Sequence, residues 1–361
     1  MQIKNNWRET IERFDAWFHH KPTDRPLMNI WVKRNENEKI AEPLPEEPFT
    51  DSSDMYLNTD KQFARIFNLY TQNVYPMAEA FPDFSMNLGA GSMALYLGSE
   101  PTFTPETVWF KPFLDDYSQE LKFDPDNIWW QKHLAILLRM VELAKDTDIS
   151  ICIPDIVENM DILSAIRDPQ LCCLDLYDNP EGVKKTLDAM TKYYPMYYNA
   201  MHDIVKRPDN SSAFTAFSVI GSGKTAKIQC DFAALMSPEH FKEFAIPGLR
   251  DQCSWIDNTV FHLDGPECFP HVKPLMEIER LGALQWTPGA RNPRAGEEIW
   301  FDMYAQVKEA GKGLWISLAD YPPEEAIARA KKITKKFGRD GLYFLFPVME
   351  REQAEQLMLF I

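Results

Sequence analysis

The feature that most restricts the fold is a repeated alternation along the chain. Short runs rich in β-branched and aromatic residues are each followed by a longer stretch of helical periodicity. The runs are PLMNIWVKR (26–34), MAEAFPDFSM (77–86), ISICIPD (149–155), SSAFTAFSVIG (211–221), TVFHLDG (259–265), ALQWTPG (283–289), GLWISLA (313–319) and GLYFLFP (341–347). Parallel strands need long crossover connections, so strand–helix alternation predicts a parallel sheet covered by helices. Eight such runs in 361 residues predict an α/β protein of the (β/α)8 TIM-barrel class, folded as a single domain over 1–361. An open doubly wound sheet is the rival, and no GxGxxG loop follows the first run to support it.

Two stretches interrupt the alternation. Residues 99–126, with TVWFKPFLDDY, predict a hairpin excursion near the barrel mouth, and the Glu- and Pro-rich residues 35–53 predict a long loop. An amphipathic helix is expected within 1–21. Ser237-Pro238-Glu239 carries a helix N-cap, a first-turn proline and an acid at the positive helix end; Gly311 and Gly338 suit helix ends.

Composition narrows the function. A net charge of −16 repels phosphate backbones and anionic lipid faces, so neither nucleic acid nor a membrane is an expected partner. The polar N-terminal stretch lacks the layout of a secretory signal, and no run approaches the roughly 20 apolar residues of a membrane span. The six cysteines (152, 172, 173, 230, 253, 268) form no CxxC pair and no disulfide spacing. A cytoplasmic protein with buried thiols is the expectation.

In a barrel of this class, chemistry gathers at the C-terminal ends of strands. The run TVFHLDG ends with His262 and Asp264, whose period-two spacing sends both side chains to one face. They are the leading candidates for an acid/base pair or metal ligands. Asp155 ends the third run, with Glu158 and Asp161 beyond it as helix N-terminal acids, and the fourth leads through IGSGKTAKIQCDF to Cys230 and Asp231. Trp286, Trp315 and Tyr343 would supply aromatic walls, and Glu267, Cys268 and His271 a supporting turn.

The segment CDFAALMSPEHFKEFAIPGL (230–249), followed by FHLDG at the next strand, resembles the uroporphyrinogen decarboxylase superfamily, which includes methylcobamide-dependent methyltransferases. DRPLMNIW and DPQLCCLDLYDNPEGV add to a likeness running from Pro22 onward. The resemblance implies a (β/α)8 barrel. In the methyltransferase branch it implies zinc bound by His-x-Cys-Gly and a later Cys, with a corrinoid as methyl carrier on a partner protein. Here the motif is His262-Leu263-Asp264-Gly265, and GLYFLFPVME lacks the second Cys, so the expected ligands are His262, Asp264 and Cys230, with Cys268 the alternative to Cys230, a harder set for zinc.

In the decarboxylase branch the resemblance implies no metal, a cationic pocket and an acid for pyrrole N–H groups, for which Arg34 and Asp83 are the nearest matches. The paired arginines and late His of that branch are absent. The resulting expectation is a corrinoid-linked methyltransferase with His262, Asp264, Asp231 and Asp155 catalytic and Arg34, Asp83, Trp286, Trp315 and Tyr343 binding a small methyl donor or acceptor. Decarboxylation of a porphyrinogen or aromatic acid, and non-catalytic tetrapyrrole or corrinoid binding, are the alternatives.

Overall fold

A computed structural model describes residues 1–360. Its strands, in chain order, are β1 (Leu27–Lys33), β2 (Val74–Ala78), β3 (Asp83–Phe84), β4 (Pro101–Phe103), β5 (Val108–Phe110), β6 (Ser150–Ile151), β7 (Ser211–Phe214), β8 (Val219–Ser222), β9 (Thr225–Gln229), β10 (Asn258–Asp264), β11 (Ala283–Thr287), β12 (Gly313–Ser317) and β13 (Leu342–Leu345). The main sheet runs β2-β1-β13-β12-β11-β10-β9 and is parallel throughout except at β1–β2. β3 pairs with β6 in parallel, and a parallel bridge from Cys152 to Ala213 carries the wall on to β7. Helices, among them Ile128–Ala144, Pro180–Val205, Phe301–Glu309 and Pro323–Phe337, cover the outside, completing the α/β barrel of a single domain.

Two runs fold differently from their expected single strands. Residues 211–221 form the antiparallel hairpin β7–β8, and the parallel neighbour of β10 is β9, Thr225–Gln229. Ser218 has φ +48 and Gly223 φ +78, so the chain reverses at both places, and glycine makes the second reversal inexpensive. The 77–86 run splits into antiparallel β2 and parallel β3, with Pro82, which has no amide hydrogen, between them. The excursion within 99–126 contains the β4–β5 hairpin, and Ser237 Oγ accepts the His240 amide at the expected cap.

The barrel lumen has its own apolar core. The N-terminal helix, Trp7–Phe18, closes one end: Phe14 packs edge-on against Trp17, Phe81 and Tyr343, and Trp17 Nε1 donates to the Gly341 carbonyl at 3.0 Å. A Cβ on Gly313 would lie 2.8 Å from the Trp17 ring, so glycine is what lets the plug seat. The tip of β7–β8 fills the lumen from another side. Trp315 Nε1 donates to the Phe217 carbonyl (2.8 Å) and Tyr343 Oη to the Ser218 carbonyl (2.6 Å). No helix among the described residues is long and apolar enough to cross a membrane.

Because Phe14 is fully buried in this plug, Phe14→Ala is expected to lower stability by about 3–5 kcal/mol in chemical denaturation. Leu174→Ala, at a side chain 58% exposed on the outer helices, should change it by no more than about 0.5 kcal/mol.

Candidate functional site

Residues paired directly across a pleated sheet share a face. The registers Gln229↔His262, His262↔Gln285 and Gln285↔Trp315 therefore set these side chains in one row. Phe217, on the hairpin tip inside the barrel, lies 5.5 Å from both the His262 and the Trp315 ring, so the row faces the lumen. Lys227, two residues before Gln229, and Asp264, two after His262, belong to the same face.

His262 is held by a side chain that the strand pattern presents to it. Its Nδ1 bonds to Gln285 Oε1, and Gln285 Nε2 donates to Thr287 Oγ1 at 2.8 Å. With Gln285 accepting through its oxygen, the imidazole proton sits on Nδ1 and Nε2 offers a lone pair toward the mouth. That Nε2 lies 3.9 Å from Asp231 Oδ1, and one ligand atom from each of Asp231, His262 and Asp264 falls within 4.8 Å of the other two. Among the described residues this is the one group of three His, Cys, Asp or Glu side chains so placed.

Asp231 reaches the cluster because the turn after β9 is tied down. Asp161, in the first turn of helix Asn159–Arg167, accepts the backbone amides of Asp231 (3.0 Å) and Phe232 (2.8 Å) and the Gln229 amide (2.8 Å). Gln229 Nε2 also donates to Asp231 Oδ2 at 3.0 Å. Behind this lies Lys227, buried, donating to Asp155 Oδ2 at 2.5 Å and to Gln229 Oε1. The Asp231 side chain is 46% exposed, yet desolvation at the crowded strand ends pushes its carboxyl up to about 7, helped by Asp161, Asp264 and Asp155 and opposed by Lys227. Burial, then Lys227, lowers the His262 pKa, keeping the ring neutral at pH 7; Gln285 and Asp264 pull the other way.

Two cavities flank the cluster. One, of about 590 Å³, is lined by Phe217, Gln285, Thr287, Asn292, Arg294 and Trp315 among others. The other, of about 440 Å³, runs beneath the β4–β5 hairpin and ends at Gln229 and Asp231. The first mixes polar and apolar groups and carries both Arg294 and Asp320; the second is mostly apolar.

Of the candidates read from the sequence, the structure brings His262, Asp264 and Asp231 together, with Asp155 adjoining through Lys227. Others stand elsewhere. Cys230, one residue past inward-facing Gln229, lies buried in the layer between strands and helices, where desolvation raises its thiol pKa well above normal; it is outside the cluster. Trp286 alternates with Gln285, so its ring packs outward, tilted against Phe269 and edge-on to Trp300, although the residue also borders the 590 Å³ cavity. Arg34 is consumed by the carbonyls of Glu38, Tyr70 and Val74.

Asp83 is buried, takes the Tyr70 hydroxyl at 2.9 Å and is pushed up to about 7 by burial; like Arg34 it lines neither cavity. Tyr343 points into the lumen but is fully buried under the hairpin tip. Glu158 does not cap its helix: its buried carboxyl has no hydrogen-bond partner. His271 Nε2 donates to the Ala233 carbonyl at 2.9 Å and packs against Phe241, away from the mouth. Lys227, Gln229 and Gln285 were not singled out from the sequence. Their signal was a polar residue at alternate positions of otherwise apolar strands.

No family model matches the chain, and no curated protein matches it. Among solved structures, a methyltransferase from Methanosarcina mazei superposes with a TM-score of 0.60 at 15% identity, over 97% of each chain. At that identity the likeness establishes the fold, a barrel shared along nearly the whole chain.

The raised Asp231 pKa has a consequence for stability. Ionising it costs more in the folded chain than in the unfolded one, so its destabilising effect grows as pH rises from the ordinary value of 3.8 and is complete above about 7. Asp231→Asn should therefore be more stable than the parent in cation-free buffer above pH about 7. The difference should vanish in denaturation curves taken near the ordinary carboxylate pKa.

Proposed function

We propose that this chain is a metal-assisted methyltransferase, with Asp231, His262 and Asp264 holding one divalent cation, zinc first among the choices. The observation that carries the reading is the convergence of their ligand atoms within 4.8 Å at the strand ends of a barrel. The donor set fits: an imidazole with its Nε2 lone pair free and two carboxylates, in a site where Lys227 and Asp155 already neutralise each other. Of the three carboxylates that remain, Asp161 is committed to the turn and Asp231 and Asp264 are free to face one divalent cation. One nitrogen and two oxygens make a harder site than thiolates would.

When bound, the cation supplies Lewis acidity that lowers the pKa of a methyl acceptor. The chain's own residues do the rest. Gln285 fixes the His262 tautomer, Gln229 orients Asp231, and the proton that the acceptor loses passes to solvent at the open mouth, where the Asp231 side chain is 46% exposed. A corrinoid on a partner protein as methyl carrier, and a small-molecule acceptor, complete the proposal. It draws support from the resemblance at FHLDG and from the barrel shared with the methanogen enzyme. Porphyrinogen decarboxylation is less well supported, since Arg34 and Asp83 lie away from both cavities.

Metal analysis of purified protein, with methylcobalamin as test donor, checks this reading. The parent should bind zinc and His262→Ala should lose both metal and methyl transfer; unchanged metal content in His262→Ala would remove the proposal. Gln285→Leu, which frees the ring without touching a ligand atom, should weaken zinc binding by about 10–100-fold. Zinc affinity of the parent should rise with pH through about 7 as Asp231 ionises.

A further inference from the structure

The 440 Å³ cavity is a slot between the β4–β5 hairpin and the helix Asn159–Arg167. Val108 and Phe110 form one wall, Ile162 and Ala165 another, and Phe232 closes the end beside Asp231. Two glycines in the left-handed region allow the walls to approach: a Cβ on Gly89 (φ +96) would lie 2.8 Å from Val108 Cβ, and one on Gly91 (φ +85) 3.2 Å from Ile162 Cδ1. No lysine, arginine or histidine lines the slot.

Its two acids differ in what they have left to offer. Asp161 already accepts three hydrogen bonds. Asp231 takes Gln229 on Oδ2, while its Oδ1 faces His262 Nε2 at 3.9 Å. A ligand in the slot thus has apolar walls along its length and, at the reacting end, one carboxyl oxygen, Asp231 Oδ1, that no hydrogen bond has claimed. An anion would meet two acids with no cation in the wall. The opposite cavity, by contrast, has one cation, Arg294, beside Asn292 and Asp320.

We propose that the slot binds the small-molecule methyl acceptor as an uncharged, ring-sized apolar molecule, with its heteroatom directed at Asp231. The proposal rests on the reading of Asp231, His262 and Asp264 as the reacting centre and names the substrate class that this centre serves. A volume of about 440 Å³ suits one substituted ring, and the aromatic side chains offer flat contact surface.

The test uses the full chain without added metal and reads binding, so its failure leaves the methyl-transfer reading intact and loss of methyl transfer leaves this one intact. Anisole is the neutral probe and benzoate its anionic counterpart. Binding is followed by calorimetry and by the share of the tryptophan fluorescence that Trp109→Phe removes, Trp109 being the one of the ten tryptophans that lines the slot. Anisole should bind saturably, benzoate at least about tenfold more weakly, a difference of about 1.4 kcal/mol. Ala165→Phe, filling the slot from a half-buried position, should abolish anisole binding, whereas Ala290→Phe in the polar cavity should not. Should Ala165→Phe fail to fold, Ala90→Phe narrows the slot from an exposed position on the loop. Benzoate binding as tightly as anisole, or anisole binding undiminished in the folded blocking variant, overturns the proposal.

Discussion

The site depends on the register of β10 against its two neighbours. Because side chains alternate strictly across a strand, a slip of one residue would turn His262 and Asp264 into the helical layer and bring Phe261 and Leu263 into the lumen. What prevents the slip is the apolar content of the outward set: Phe261 and Leu263 are nearly fully buried against the helices and would lose that burial. The same packing that stabilises the wall therefore aims the imidazole and the carboxylate. Gln285 and Gln229, paired directly with His262, arrive on its two sides for the same reason.

Concentrating three carboxylates at one mouth is electrostatically unfavourable, and the surrounding residues show how the chain tolerates it. Lys227 is buried against Asp155 and shares Gln229 with the cluster, placing a fixed positive charge behind the acids. Gln229 then bridges Asp161 and Asp231 with one amide nitrogen, and Asp161 spends its oxygens on the turn that carries Asp231. The residual strain is concentrated in Asp231, the carboxyl whose proton affinity rises to neutrality. A group that half-ionises at neutral pH next to a bare imidazole nitrogen is suited to exchanging protons or accepting a cation.

Most of the architecture was legible in the chain because strands of a buried parallel sheet read as apolar runs with turn residues between them. The run 211–221 misled because β7 and β8 are both apolar, and only Ser218 and the glycines at 221 and 223 betray a reversal. At the site, His262 and Asp264 were visible from their period-two spacing at a strand end. Cys230 was misassigned because its chemistry suits a metal while its parity, one residue from Gln229, sends it outward. The Trp286 ring is turned outward by the same parity against Gln285, while the residue still borders the 590 Å³ cavity. Gln285 and Lys227 could have been found by asking which polar side chains occupy inward positions, a question that needs the register, and register is a tertiary property.

The central claim is that the mouth presents one imidazole and two carboxylates, with the thiols held elsewhere. X-ray absorption at the zinc edge of metal-loaded protein tests it most directly. Nitrogen and oxygen neighbours alone, at about 2.0–2.2 Å, are the expected result, and a sulfur neighbour at about 2.3 Å would contradict it by bringing Cys230 or Cys268 into the coordination sphere.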